Sequence, residues 1–302
     1  MSNATSQVAN ARIQFAFDLL NERVTYLCVD PYSSNDLKKA CCLHVKKGDL
    51  VLRDRGYFCE AEIIRISEAA ADFIYRYKHN ITYLDLNTGK PVNLLVRLKQ
   101  NPTLDIMVRL KDEHGPVVRL VANAINEELA NRRRQKLKET ASSKPSKECL
   151  ELLSWSIFIT SIKQEQLNYK AIQQLYMLRW RVEILFKALK SNLNLSKIHT
   201  IPANQLHFII YARLIVLILI TRFIYLPARS IIKKHFNKEI STIKLTAFIT
   251  ENPMIVVDLI EQILMYDNQP GDKLKALAKY CCYDVRKKRS NYDQFAKEVL
   301  LS

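Results

Sequence analysis

The stretch YMLRWRVEILFKALK, residues 176–190, decides how this chain is interpreted. Four polar side chains recur in it at offsets 0, 3, 7 and 14: Tyr176, Arg179, Glu183 and Lys190. At roughly 100° per residue, one continuous helix would place all four on a narrow stripe. A metal-dependent phosphodiester site needs this combination, because a carboxylate holds the cation while cations and a hydroxyl hold phosphate.

The same stretch carries an apolar stripe, which predicts the face that the helix buries. Its members are Leu178, Val182, Leu185 and Leu189. The two stripes lie roughly 100° apart on the helix, so the polar stripe is predicted at the border of a cleft. From spacing alone, Glu183 could equally be a surface acid that pairs with Arg179 or Lys187.

A second carboxylate follows a short apolar run, residues 49–53, that predicts a strand. Asp54 ends this run and precedes Arg-Gly, so it is expected at the rim of a sheet, where it could bind a divalent metal. The alternative is that Asp54 only starts a turn. Magnesium takes few carboxylates and completes its shell with water and phosphate, so Asp54 and Glu183 together are the candidate metal ligands.

Composition narrows the classes of partner and cofactor. The net charge of +16 over 302 residues points to a polyanion, either nucleic acid or an anionic membrane surface. The five scattered glycines allow no dinucleotide or P-loop phosphate motif, which excludes those enzyme classes. Seven cysteines without a CxxC spacing predict free thiols in a reducing cytoplasm. The apolar residues 206–226 are interrupted by charges and predict a buried helix, with no membrane span.

The order of predicted elements indicates an α/β fold. A hairpin spans residues 11–29, a helix follows at 59–70, and the chain is helical from residue 168 onward. Short β segments are predicted between them at 73–78, 92–98, 105–110, 117–121 and 155–160.

Two further features have open interpretations. The basic, serine-rich residues 132–147 predict a mobile loop or a nucleic-acid contact, with a solvated charge run as the alternative. Trp155 opens an apolar strand and is predicted in the core. Trp180 neighbours the polar stripe and could be either core or a stacking residue for a flipped nucleotide.

The spacing Tyr-x2-Arg-x3-Glu-x6-Lys resembles the signature of the IS4 family of bacterial DDE transposases. Asp54-Arg-Gly-Tyr-Phe58 resembles the second catalytic motif of that family, and the hairpin and the segment 34–36 are similar as well. The resemblance covers roughly residues 10–225. It implies an RNase H-like core interrupted by a β-rich insertion, with a helical C-terminal part. The implied bounds are 11–71 and 163–226 for the core, 72–162 for the insertion and 227–302 for the helical region.

The resemblance also implies a mechanism. In the family, three carboxylates hold two Mg²⁺ or Mn²⁺ ions, which activate water or a 3′-hydroxyl for attack at transposon-end phosphates. Asp54 and Glu183 would be catalytic metal ligands. Three residues would hold double-stranded DNA: Tyr176, Arg179 and Lys190. The implied state is a homodimer on transposon-end and target DNA, in the cytoplasm with the nucleoid.

One family motif is missing from this sequence. The first catalytic aspartate of the family lies in an Asp-Gly/Ser-Thr strand, and no such segment occurs here. Asp18, Asp30 and Asp36 occupy positions where the family has turn or loop residues. We therefore predict a truncated transposase with little strand transfer, or else a misassigned start or a frameshift. The alternative function is a non-catalytic DNA-binding remnant. A purely structural helical protein would leave the charge and the spacing unexplained.

Overall fold

A computed structural model describes residues 11–31, 43–194 and 201–284. The chain divides into two compact units, one of residues 35–179 and one that combines 1–34 with 180–302. We call the first the sheet unit and the second the helical unit. Some features of the sequence analysis lie outside the described residues: the segment 34–36 with Asp36, and two of the seven cysteines, Cys41 and Cys42.

The elements are numbered in chain order. The strands are β1 (Ala11–Asp18), β2 (Arg23–Pro31), β3 (Leu50–Arg53), β4 (Asp72–Arg76), β5 (Tyr83–Asp85), β6 (Thr103–Leu110), β7 (Val117–Ala124) and β8 (Trp155–Thr160). The helices are α1 (Glu60–Glu68), α2 (Leu94–Gln100), α3 (Glu127–Thr140), α4 (Lys147–Leu152), α5 (Tyr169–Met177), α6 (Trp180–Ser191), α7 (Ala203–Leu219), α8 (Leu226–Phe236), α9 (Thr242–Glu251), α10 (Ile255–Leu264) and α11 (Asp272–Tyr280).

The sheet unit is built on six strands in the order β3-β4-β8-β7-β6-β5. Strands β3 and β4 are parallel and joined by α1, whereas the other neighbours are antiparallel. The mixed α/β class predicted from the sequence is therefore confirmed. The observed sheet joins β3 to the strands of the predicted insertion, and the family domain bounds stay predictions.

Alternation of side chains gives this sheet two distinct faces. Phe73 and Tyr75 of β4 lie on the face that forms the main hydrophobic core, where Ile63 and Ile66 of α1 pack. We call this the core face. Ile74 and Arg76 point to the opposite face, on which α5 packs against β4, β7 and β8. We call that the α5 face.

The helical unit contains the predicted hairpin, β1–β2, and helices α6–α11. Val29 of the hairpin packs in one cluster with Leu185 and Leu189 of α6 and with Leu214 of α7. At the hairpin turn, the Glu22 carboxylate accepts hydrogen bonds from Arg181 at 2.7 Å and Arg229 at 2.6 Å. A second cluster, formed by residues from 220 onward, holds the remaining helices together.

Two predicted elements of the sheet unit are wrong. The expected β segment 92–98 is mostly α2, because the Asn93 side chain caps a helix by accepting from the Val96 amide at 3.1 Å. The expected mobile loop 132–147 is mostly helix, α3 and the start of α4. Asn126 and Ser146 cap these helices, and acidic residues follow each cap, a combination that favours helix starts over the loop that the charge suggested.

The apolar segment 206–226 forms α7, a short π-helical segment (Ile220–Tyr225) and the start of α8. Ile210, Leu214 and Leu217 are buried, but Phe208 is 75% exposed and Ile215 is 54% exposed. The predicted burial is thus correct for one face only. Residues 204–236 are long and apolar enough to cross a membrane, by length and composition alone.

The cysteines within the described residues are free thiols, as predicted: Cys28, Cys59, Cys149, Cys281 and Cys282.

Candidate functional site

The helix predicted through residues 176–190 is interrupted. Helix α5 ends at Met177 and α6 begins at Trp180, with a turn at Leu178 and Arg179 between them. In this turn the Leu178 and Arg179 amides donate to carbonyls three residues back, at 2.9 and 3.2 Å. The prediction of one continuous helix with a single polar stripe is therefore wrong. The periodicity of the sequence could not reveal the turn, because a break of two residues leaves the apolar spacing unchanged.

The two halves of the motif belong to different units. Tyr176 and Arg179 end the sheet unit, whereas Glu183 and Lys190 lie on α6 in the helical unit. The apolar stripe is partly confirmed there, because Leu185 and Leu189 are buried. Glu183 is half-buried in the first turn of α6, and Lys190 is exposed in its last turn.

The sequence offered two interpretations of Asp54, a residue that starts a turn and a residue exposed at the rim of the sheet, and the structure shows both features. Its carboxylate accepts from the Arg55 amide at 2.8 Å and caps a short 3-10 turn, Arg55–Tyr57. It is also exposed at the carboxyl end of β3, so its other oxygen remains available to a ligand. Its extended backbone, with φ −75° and ψ 158°, continues the alternation of β3 and directs Asp54 to the α5 face.

The end of β3 is held from the core face. Arg53 forms an ion pair at 2.8 Å with Glu62 of α1, whose side chain is fully buried. Glu62 also accepts two hydrogen bonds from Arg65, at 2.8 and 2.9 Å. This buried carboxylate therefore ties α1 to the strand that presents Asp54.

Tyr176 anchors the candidate site on the α5 face. Its ring packs against Phe158 of β8 with a centroid separation of 5.0 Å, and the Arg179 guanidinium lies 5.5 Å from its ring centre. Burial raises the pKa of the Tyr176 hydroxyl, and the charge of Arg179 opposes that rise. Two smaller contributions have opposite signs: the charge of Asp54 raises this pKa and the charge of Arg76 lowers it, so both charges lie near this hydroxyl.

Sequence reasoning missed Arg76, although it follows directly from the register. Arg53 of β3 pairs with Tyr75 of β4, so the next residues, Asp54 and Arg76, end two adjacent parallel strands. Both lie on the α5 face by alternation. The signal was a strand followed by a helix and a second strand, which indicates that both carboxyl ends meet at one edge.

The two tryptophans differ in their burial. Trp155 is half-buried and packs against the main core of the sheet unit, as predicted. Trp180 is 61% exposed at the start of α6, which excludes the core interpretation for it.

The next question is which side chains of the described residues could bind a metal ion. Within the described residues, no group of three or more His, Cys, Asp or Glu side chains could hold a metal ion. The exposed Asp54 carboxylate has the chemistry of a magnesium ligand, since magnesium takes few carboxylates and completes its shell with water and phosphate oxygens.

Comparison with known proteins identifies the family. The model of the transposase DDE domain matches residues 2–219. The chain belongs to this family. The resemblance seen in the sequence motifs is thereby confirmed.

The relatives are transposases of insertion sequences. The chain is 25% identical over 285 residues to the transposase for insertion sequence element IS231C of Bacillus thuringiensis subsp. berliner, which covers 86% of this chain and 59% of that protein. It is 24% identical over 271 residues to the transposase for IS1151 of Clostridium perfringens, which covers 80% of this chain and 56% of the relative. The match thus spans less than two thirds of these relatives.

Proposed function

We propose that this chain is a DNA-binding transposase of an insertion sequence, built on an RNase H-like core. It binds transposon-end DNA and catalyses metal-dependent strand cleavage and transfer, acting as a homodimer near the nucleoid. The observation that carries the proposal is the family match across residues 2–219. The clustering of Asp54, Tyr176 and Arg179 in the sheet unit supports it, since these residues come from both family motifs.

The proposal assigns a role to each motif residue. Asp54 and Glu183 bind Mg²⁺ or Mn²⁺, which would activate a nucleophile and stabilise the charge on the cleaved phosphate. Tyr176, Arg179 and Lys190 bind DNA phosphates. Arg179 suits this role because a planar guanidinium can donate two parallel hydrogen bonds to phosphate oxygens.

The direct test is cleavage of a duplex that carries the inverted repeats flanking the gene, with and without Mg²⁺. Asp54→Asn and Glu183→Gln should each abolish any metal-dependent cleavage while leaving DNA affinity within about threefold, because neither residue is proposed to hold DNA directly. Asp49→Asn is a matched control in the same unit, since Asp49 accepts from the Lys46 amide in a loop before β3. Unchanged cleavage by both Asp54 and Glu183 variants would contradict the assignment.

A second candidate is a DNA-binding protein that has lost cleavage activity. It is favoured by the sequence, in which the Asp-Gly/Ser-Thr motif that carries the first catalytic aspartate of the family does not occur. The two candidates make different predictions for the same assay. Metal-dependent cleavage by the 302-residue chain supports the transposase, whereas tight, salt-sensitive binding without cleavage supports the second candidate.

A further inference from the structure

Two arginines on the α5 face lie near each other, and neither has a carboxylate partner among the described residues. Arg76 ends β4 opposite Phe158 of β8, and Ser156 lies two residues before Phe158 on the same face. Arg133 reaches this face from α3, where its guanidinium donates to the Ser156 hydroxyl at 3.2 Å and to the Trp155 carbonyl at 3.3 Å. The strand register therefore brings the two guanidinium groups together from separate elements.

The electrostatics agree with this placement. Burial, together with a smaller contribution from the charge of Arg76, lowers the pKa of Arg133 to about 10. Two cations that disfavour each other in a half-buried place are stabilised when an anion joins them.

The arginines next to Arg133 in the sequence do have carboxylate partners. On α3, Arg132 pairs with Glu128, and Arg134 pairs with Glu127. In the described parts of the chain, neither Arg76 nor Arg133 forms an ion pair with any Asp or Glu. Arg133 uses two of its five N–H donors on the protein, so donors remain for a ligand.

We propose that Arg76 and Arg133 form a phosphate-binding site for the DNA backbone, beside Asp54 and in addition to Tyr176 and Arg179. The proposal rests on the proposed function only in taking DNA as the source of the phosphate. The chemistry follows from the side chains, since arginine forks match phosphate oxygens and are held here by a strand end and by hydrogen bonds. Asp54 ends the adjacent strand, so the phosphate would lie next to the proposed metal ligand.

The experiment measures binding of a fluorescent duplex of about 30 base pairs to the full 302-residue chain between about 50 and 200 mM salt. Each phosphate contact contributes about 0.9 to the slope of log affinity against log salt. Arg76→Gln/Arg133→Gln should reduce that slope by about 2 and weaken binding by roughly 10- to 100-fold at 100 mM salt.

Arg132→Gln is the matched control, because it removes one charge from the same helix at a solvent-exposed pair. It should change affinity by less than about threefold. Arg76→Lys, which keeps the charge but loses the planar fork, should give an intermediate loss. Thermal unfolding by circular dichroism checks that each variant is folded. If the Gln double variant is unfolded, Arg76→Lys/Arg133→Lys replaces it in the comparison. This variant keeps both charges and should keep the salt slope but lose affinity with the planar forks, so an affinity equal to that of the original chain would overturn the proposal.

The outcomes separate this inference from the proposed function. If the original chain binds DNA with a steep salt slope and the Arg76/Arg133 double variant matches Arg132→Gln, this site is overturned while the proposed function stands. If the original chain shows no salt-dependent DNA binding, both fail. A final arm adds inorganic phosphate at constant ionic strength: stabilisation of the original chain by millimolar phosphate, lost in the double variant with no change in DNA binding, would assign the site to free phosphate and overturn the proposal.

Discussion

Two arginines at the ends of neighbouring strands of the six-stranded sheet are held in different ways. On the core face, Arg53 at the end of β3 is paired with the buried Glu62, which also binds Arg65. On the α5 face, Arg76 at the end of the neighbouring strand forms no such pair among the described residues. These two arginines lie on adjacent strands, one residue apart in register. The presence of a carboxylate, and not the position in the sheet, therefore distinguishes a structural arginine from a candidate binding one.

The difference has a physical basis. A buried carboxylate that loses its cations is strongly destabilising, so the core-face network belongs to the stability of the fold. A half-buried cation without a partner costs stability and is retained where it has a ligand to bind. The predictions below test this contrast, beginning with the largest effect.

Breaking the core-face network should have the largest effect. Glu62→Gln leaves Arg53 and Arg65 without their charge partner in a buried place, so the free energy of unfolding should fall by about 3–5 kcal/mol. Urea unfolding followed by circular dichroism measures the change. Glu60→Gln, which breaks the exposed pair of Glu60 with Lys111, is the matched control and should cost less than about 1 kcal/mol. Equal effects of the two substitutions would show that Glu62 is not a structural anchor.

The hairpin turn of the helical unit contains a similar carboxylate–arginine network that is less deeply buried than the one at Glu62. Glu22 binds both Arg181 and Arg229, and its side chain is 13% exposed. Glu22→Gln should therefore cost about 1–3 kcal/mol, less than Glu62→Gln, because solvent can reach the two arginines left behind. Arg23→Gln, at an ion pair whose arginine is 66% exposed, should change stability by less than about 1 kcal/mol under the same urea titration.

Acid should remove the stability that the Asp85 carboxylate gives the sheet unit through its pairing with Arg97. The hydrogen bond from Arg97 holds the pKa of Asp85 below its usual range, as do the amides of Thr88 and Asn87. A lowered pKa in the folded state adds stability above the unfolded pKa of about 3.9, and this contribution is lost as pH falls below it. Arg97→Gln should therefore flatten the loss of thermal stability between about pH 5 and pH 2, while Arg76→Gln should leave that profile unchanged. Identical profiles for Arg97→Gln and the original chain would contradict the assignment.

The smallest effect concerns the α5 face itself. Arg76→Gln removes a charge that opposes Arg133, so the protein should unfold at an unchanged or slightly higher temperature, with a gain of up to about 0.5 kcal/mol. Differential scanning calorimetry measures this. A loss of more than about 2 kcal/mol would mean that Arg76 supports the fold and that its partners within the protein are structural.

The sequence predicted the elements whose patterns are local and repeated. The hairpin, β3, α1, β6, β7 and β8 follow from alternation and helical periodicity. The patterns failed where a few capping residues outweighed composition, as at Asn93 and Asn126, which start helices in segments taken for a strand and a loop. They also failed at Leu178 and Arg179, where a short turn interrupts the helix but keeps the apolar spacing.

The candidate site was only partly visible in the sequence. Asp54 and the motif residues were found because their spacing matches a known family pattern. Arg76 and Arg133 lie 57 positions apart in the chain and are brought together by the pairing of β4 with β8 and by the packing of α3. No short segment of the sequence could predict this pair, because the order of the strands in a sheet depends on segments that are far apart in the chain.

Hydrogen exchange in the presence and absence of duplex DNA tests the central claim most directly. If the α5 face holds the DNA backbone, DNA should slow amide exchange at residues 54–58, 76–79 and 176–179 and leave α1 and α2, which pack on the core face, unchanged. Protection confined to α1 and α2, with no change at the three α5-face segments, would contradict this account.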